Sequence, residues 1–107
     1  MKGIIQNLNK VFDNRVRLGI MAILVVNDWV EYKQLKSTLG VTDGNLASHI
    51  SALEKKEFLT VRKMFVGRKP QTSYQVTIIG KTAFQNHLDA LENLISMRNA
   101  GTQKIKK

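Results

Sequence analysis

Apolar residues recur with a helical period at both ends of this chain and with a strand period between them. Ile4, Ile5, Leu8, Val11 and Phe12 are spaced by threes and fours, which predicts an amphipathic N-terminal helix of about two turns. Asp13 or Asn14 can cap a second helix, because a short side-chain oxygen accepts an orphan N–H. That helix runs from Arg15 to Val26, and its second half is apolar on every side. Such a helix is expected to be buried all round, centrally or partly against a second subunit. Asn27-Asp28 breaks it, and Trp29-Val30 predicts a short extended piece. Tyr32 to Leu39 reads as a short helix stopped by Gly40, a left-handed terminator. Thr42 then caps a helix from Asp43 to about Lys56, with acidic Asp43 in its first turn. Leu46, Ile50 and Leu53 give that helix one narrow apolar stripe.

After Glu57 the period becomes alternating. Phe58, Leu59, Val61, Met64, Phe65 and Val66 form a β-type run interleaved with Thr60, Arg62 and Lys63. Gly67-Arg68-Lys69-Pro70 is a turn signal, and Gln71 to Val76 reads as a second strand with Tyr74 and Val76 on one face. Together they predict a β-hairpin. Thr77 caps a last helix, in which Ala83, Phe84, Leu88, Leu91, Leu94 and Ile95 keep helical spacing. Periodicity fades from Ala100. The order is helix, helix, helix, helix, hairpin, helix: a mainly α chain with a small β-hairpin (α+β). Residues 1–98 are expected to form one domain, and 99–107 a basic flexible tail.

Composition narrows the function classes. The 107 residues suit one domain, and 43% hydrophobic with 23% charged residues suits a folded one. There is no cysteine, which removes disulfides, thiolate metal sites and a thiol nucleophile. Met1-Lys2-Gly3-Ile4-Ile5 turns polar at Gln6, so no secretory signal follows the lysine. The longest apolar stretch, Leu18 to Val26, is nine residues, far short of the roughly twenty that span a bilayer. A cytoplasmic protein without membrane contact is expected. The net charge is +9, and residues 58–81 contribute +5 through Arg62, Lys63, Arg68, Lys69 and Lys81 with no acid among them. Cationic charge concentrated in a folded segment points to a polyanion.

Leu35 through Leu53 is a short helix, a tight turn at Gly40-Val41, and a second helix with a thin apolar stripe: a helix-turn-helix. On a helical wheel with Leu46 at zero, Gly44, Ser48, Ser51 and Lys55 fall on the far side. Small polar residues let a backbone approach base edges, and a lysine serves phosphates. Asn45 is the first candidate for base reading, since its amide can bond adenine twice. Thr42, with neighbouring N–H groups, can hold a phosphate at the helix N-terminus. Arg68 and Lys69 at the hairpin tip, and Arg62 behind them, can reach the backbone or minor groove, and Arg62 and Lys63 share that hairpin without acidic partners. An ordinary solvated helix and a solvated turn would carry similar residues; the two features in succession favour the nucleic-acid reading.

Phe12 to Leu18, Leu35 to Ile50, Leu53 to Lys56 and Gly67 to Thr77, in that order, resemble a winged-helix transcriptional regulator of the MarR/ArsR type. The resemblance covers roughly residues 8–90. It implies a winged helix-turn-helix with added N- and C-terminal helices, a homodimer, a recognition helix at about 43–56 and a wing at about 62–75. Its DNA-contacting positions fall on Asn45, Ala47, Ser48 and His49, with Arg68 and Lys69 from the wing. Two departures stand out: Glu57 occupies a position after the recognition helix where glycine is usual, and Ala47 one where serine is common.

His49 fits a half-buried histidine bonded to a carbonyl as well as a phosphate donor. His49 and His87 lie in different helices without an acidic cluster, so neither a metal nor a catalytic role is expected, and no cofactor is implied. Trp29 and Tyr32 read as packing residues. Ile78 and Ile79, the apolar Leu18–Val26 and the stripe Leu88-Leu91-Leu94-Ile95 favour a dimer through the terminal helices. The leading expectation is a sequence-specific, homodimeric regulator that binds double-stranded DNA. Its rival is a winged helix used as a protein-interaction module with only non-specific nucleic-acid binding. Neither the operator, the sign of regulation nor an effector is written in the sequence.

Overall fold

A computed structural model of the chain describes residues 5–106, and the side chains of residues 5–96. Its elements are a 3-10 turn at Lys10–Phe12, α1 (Arg15–Val25), β1 (Val30–Glu31), α2 (Tyr32–Leu39), α3 (Asp43–Lys55), β2 (Leu59–Val66), β3 (Lys69–Val76) and α4 (Ile78–Lys106). Four helices thus surround a small antiparallel sheet of order β1-β3-β2. The core lies where Ile20, Met21 and Leu24 of α1 meet Leu35 of α2, the Leu46-Ile50-Leu53 stripe of α3, and Leu59 and Tyr74 of the sheet.

Three expectations change. The N-terminal helix is not continuous. Ile5 and Gln6 are helical, but the chain turns at Asn7 and tightens into the 3-10 turn; Met1 to Ile4 lie outside the described residues. Asn9 causes the break. Its side chain accepts from the N–H of Val11 at 3.0 Å, and its own N–H donates to Nδ1 of His87 in α4 at 3.0 Å. Local side-chain bonds of this kind compete with helix. His87 therefore fastens the N-terminal segment to the last helix, with the Phe12 ring centred 5.1 Å from the imidazole.

Second, α1 is not buried all round. Asn14 caps it, accepting from Val16 and Arg17 N–H groups at 2.9 and 3.1 Å. Val16, Ile20, Met21 and Leu24 are buried, Leu18, Ile23 and Val25 half-buried, and Ala22 and Val26 exposed. Third, the hairpin is longer than its turn signal suggested. Only Gly67 and Arg68 connect the strands, with Gly67 in the left-handed region (φ 66°), and Lys69 and Pro70 belong to β3. Pro70 sits opposite Phe65, while β1 reaches only Ser73 and Tyr74. Its missing N–H therefore interrupts no ladder on the open side.

The end of α3 and the start of α4 are built together. Phe58 N–H donates to Leu53 O at 3.0 Å and Glu57 N–H to Glu54 O at 2.9 Å, the paired bonds of a Schellman motif. Glu57 takes the left-handed conformation (φ 61°) that this motif usually gives to glycine. Thr77 caps α4: its hydroxyl accepts from Gly80 N–H at 2.9 Å and donates to Glu57 O at 2.6 Å. Its backbone N–H donates to Phe58 O at 3.0 Å. Gly80 lies so close to Phe58 that a Cβ would stand 2.1 Å from the carbonyl oxygen. α4 then runs for 29 residues, about 43 Å at helical rise. It is helical through Lys106, beyond the point where periodicity fades; the tail's side chains and Lys107 lie outside the described residues. The protruding helix stretches the molecule to 66 × 24 × 23 Å. No helix among the described residues is long and apolar enough to cross a membrane.

The junction makes two substitutions act in opposite directions. Gly80→Ala should cost about 3 kcal/mol by forcing α4 off Phe58. Glu57→Gly should stabilise by about 1 kcal/mol, because glycine adopts the left-handed conformation without a Cβ clash and keeps the carbonyl that Thr77 bonds. Urea unfolding of both variants measures this; a neutral Gly80→Ala would mean that the close approach is not maintained in solution.

Candidate nucleic-acid interface

The α3 stripe splits the helix cleanly. Leu46, Ile50 and Leu53 are buried, while Gly44, Asn45, Ala47, Ser48, Ser51 and Lys55 are exposed along its outer side. Thr42, also exposed, uses its hydroxyl oxygen to accept Asn45 N–H at 3.2 Å. The hydroxyl hydrogen remains a donor. The turn before α3 is set by Gly40 (φ 63°), whose N–H closes on Lys36 O at 2.9 Å.

Asp43 ties the N-termini of α2 and α3 together. Its carboxylate pairs with Lys36 Nζ at 3.0 Å and accepts from the Tyr32 hydroxyl at 3.0 Å. Lys36 first, then Tyr32, holds this carboxyl below its ordinary pKa. Burial, reinforced by the bond to Asp43, pushes the Tyr32 phenol upward. Tyr32 packs against the core as expected, and its hydroxyl is in addition a polar strut between the two helices.

His49 is half-buried, and within the chain its ring meets an arginine rather than the expected carbonyl. Its Nδ1 lies 3.1 Å from a guanidinium nitrogen of Arg17, whose Nε donates to Val11 O. An arginine has only donors, so Nδ1 must accept and the imidazole hydrogen sits on Nε2. Burial, and then the Arg17 charge, lower the pKa of this histidine from its ordinary 6.5.

The pleat divides the basic hairpin. Leu59, Val61, Lys63 and Phe65 share one face with their partners Pro70, Thr72, Tyr74 and Val76; this face carries the buried Leu59 and Tyr74 and so turns toward the helices. Arg62 points the other way, its guanidinium carbon 4.2 Å above the Trp29 ring. Arg68 and Lys69 sit exposed at the tip. Lys63 and Lys69 border a cleft of about 580 Å³ together with Tyr32 and Lys33 of α2. The wing and the first turn of α2 thus border one cleft, and the Tyr32–Asp43 bond ties the first turn of α3 to it. Among the described residues the one ion pair is Lys36–Asp43, and the hairpin's cations have no acidic partner.

The sequence missed Lys33, Lys63 and Arg17 as members of this surface. Lys63 was legible in principle: it has the parity of Leu59 in β2, whereas Arg62 does not. Arg17 and Lys33 carry no local signal, because only tertiary packing brings them to α3 and to the wing.

A family model of the winged helix DNA-binding domain matches residues 16–95. The chain belongs to this family. An uncharacterized protein of Methanocaldococcus jannaschii is 34% identical to it over 79 residues, which cover 74% of this chain and 86% of that protein. A transcriptional regulator homologue from Pyrococcus horikoshii superposes with a TM-score of 0.79 at 32% identity, covering 89% of this chain and 92% of that one. Bacillus subtilis PadR, solved in complex with operator DNA, shares the fold at a TM-score of 0.62 and 18% identity, over 70% of this chain and 48% of PadR. The winged helix-turn-helix of regulator type expected from the sequence is borne out.

The burial of His49, and then the Arg17 charge beside it, predict a pH-dependent stability for this winged helix protein. The folded pKa of His49 is depressed, so the unfolded chain binds the extra proton first as pH falls below 6.5. Stability should be full above that pH and decline from there toward the folded pKa. Urea midpoints between pH 5 and 7.5 should show the decline in the native protein and a flatter profile in His49→Gln; identical profiles would remove the histidine from the account.

Proposed function

We propose that the protein is a homodimeric, sequence-specific transcriptional regulator that lays α3 in the major groove of double-stranded DNA and its wing on the backbone or minor groove. One observation carries the reading: the first turn of α3, whose outer positions are polar and exposed, is tied by the Tyr32–Asp43 bond to the turn of α2 that borders one cleft with Lys63 and Lys69 of an acid-free, cationic hairpin. The operator complex of B. subtilis PadR supports it, as a protein of the same fold that engages DNA. In this reading Asn45 bonds a base edge. Gly44, Ala47, Ser48 and Ser51 keep the helix slim enough for close approach. Thr42, Lys55, Arg68, Lys69 and the added Lys33 and Lys63 meet phosphates, as does Nε2–H of His49. Arg62 serves by bracing the wing on Trp29. Such a protein works where the genome is, in the cytoplasm.

The dimer rests on α4. Ile79, Leu88 and Ile95 are 56%, 38% and 58% exposed, and Ile78 is 86% exposed in the first turn. A second copy is the occupant that returns this apolar area to burial, through the helix that projects from the body. Twofold symmetry then matches a roughly palindromic site with reading helices about 34 Å apart.

Selection from a random duplex pool should enrich such a palindrome; a pool that stays random would favour the protein-interaction module. Asn45→Ala should change preference at one position of the site, whereas Arg68→Ala should weaken binding to all sequences alike. Lys63→Ala should reduce the slope of log affinity against log salt by about 1. In sedimentation, Leu88→Asp with Ile95→Asp should yield monomers, and a persisting dimer would exclude this face of α4.

A further inference from the structure

The wing carries apolar surface that its own fold does not use. Phe65 is 73% exposed, Val66 56% and Met64 42%, and every residue from Thr60 to Pro70 is exposed. The last apolar residue of β2 with partial cover is Val61, at 37%. Beyond it the hairpin leaves the body, so Phe65 does nothing for the core. The pleat places its ring on the face that carries Lys63, opposite Pro70, and turned toward α2 and α3. Arg68 and Lys69 flank it at the tip.

We propose that Phe65 is an apolar wedge that enters the minor groove beside the site read by α3, parts a base step there and bends the duplex. This rests on the DNA-binding reading above and adds to it a residue that deforms the operator. The occupant is argued from charge. A protein surface meeting Phe65 would also have to cover Lys63 and Lys69, and buried protein interfaces are depleted in lysine. A minor groove offers stacked bases to the ring and phosphates on both rims to the cations. Apolar side chains inserted in this way unstack a step and kink DNA by about 20–90°. Flexible pyrimidine–purine steps yield most easily, so the wedge should favour TA or CA at a position no side chain reads by hydrogen bonds.

The test uses the full chain and duplexes of the selected site, with 2-aminopurine at successive steps beneath the wing and dyes at both ends. Native protein should raise 2-aminopurine fluorescence severalfold at one step and shorten the end-to-end distance. Phe65→Leu, still a wedge, should keep both signals. Phe65→Ala should lose both and bind about 10-fold more weakly, with its thermal midpoint unchanged because the side chain is exposed. If Phe65→Ala binds and leaves the bend and the fluorescence intact, the wedge is wrong while the DNA reading stands. If Phe65→Ala instead alters sedimentation of the free protein, the ring belongs to a protein contact and the proposal fails. If the native chain binds no duplex, both readings fall together.

Discussion

The architecture depends on the packing of Gly80 against the backbone of Phe58. Three elements meet there: the exit of α3, the first strand of the wing and the first turn of α4. The left-handed Glu57 turns the chain out of α3, and Leu59 at once pairs with Val76 to close the base of the hairpin. Thr77 then bonds both Glu57 and Phe58 while capping α4. No residue of this junction is spare, since each bond fixes two elements. A side chain at position 80 would separate α4 from the end of α3. The orientation of one relative to the other is therefore a property of backbone contact, which is stiffer than contact between side chains.

The distribution of apolar residues follows from the small size of the chain. A domain of this length buries a limited core, here filled by α1, the stripe of α3 and the root of the sheet. Further apolar residues lie outside it in two places, the outer part of the wing and α4, where Leu88 and Ile95 share a side and Ile78 and Ile79 lie in the first turn. Isolated exposed leucines need no account, but both of these groups sit on elements that project from the body. Among the described side chains of α4, Lys81 is the one cation, whereas on the wing the apolar residues stand among lysine and arginine. The same excess of hydrophobicity is thus sorted by its charge surroundings into two kinds of surface.

Most of the fold was legible because it is locally encoded. Asn14, Gly40, Thr42, Gly67 and Thr77 are caps and turns whose chemistry acts within a few residues, and each does in the structure what its residue type implies. The α3 stripe was legible for the same reason. The N-terminal helix was not, because periodicity at Ile5, Leu8 and Val11 competes with a long-range bond from Asn9 to His87 that no local pattern announces. The third strand was seen only as an extended Trp29-Val30, since two residues of β1 acquire meaning only through pairing with β3. In the candidate site, the exposed polar positions of α3 were readable from the wheel. The assignment of His49 was not, because Arg17 reaches it from another helix.

The hairpin shows how fine the resolution of a charge argument has to be. Arg62 and Lys63 are adjacent, equal in charge and counted together in any window along the sequence. A strand's period of two sends them to opposite faces. One stacks on Trp29; the other opens on the cleft beside Lys33. A segment's net charge says that a polyanion is favoured, but parity decides which cations can meet it. The same parity carries Phe65 to the face of Lys63, so a single-residue shift in the register of β2 would exchange the braced arginine for the free lysine and turn the aromatic ring away from the helices. The register is held by the Leu59–Val76 pair at the junction, and the chemistry at the tip of the wing is thereby set at its base.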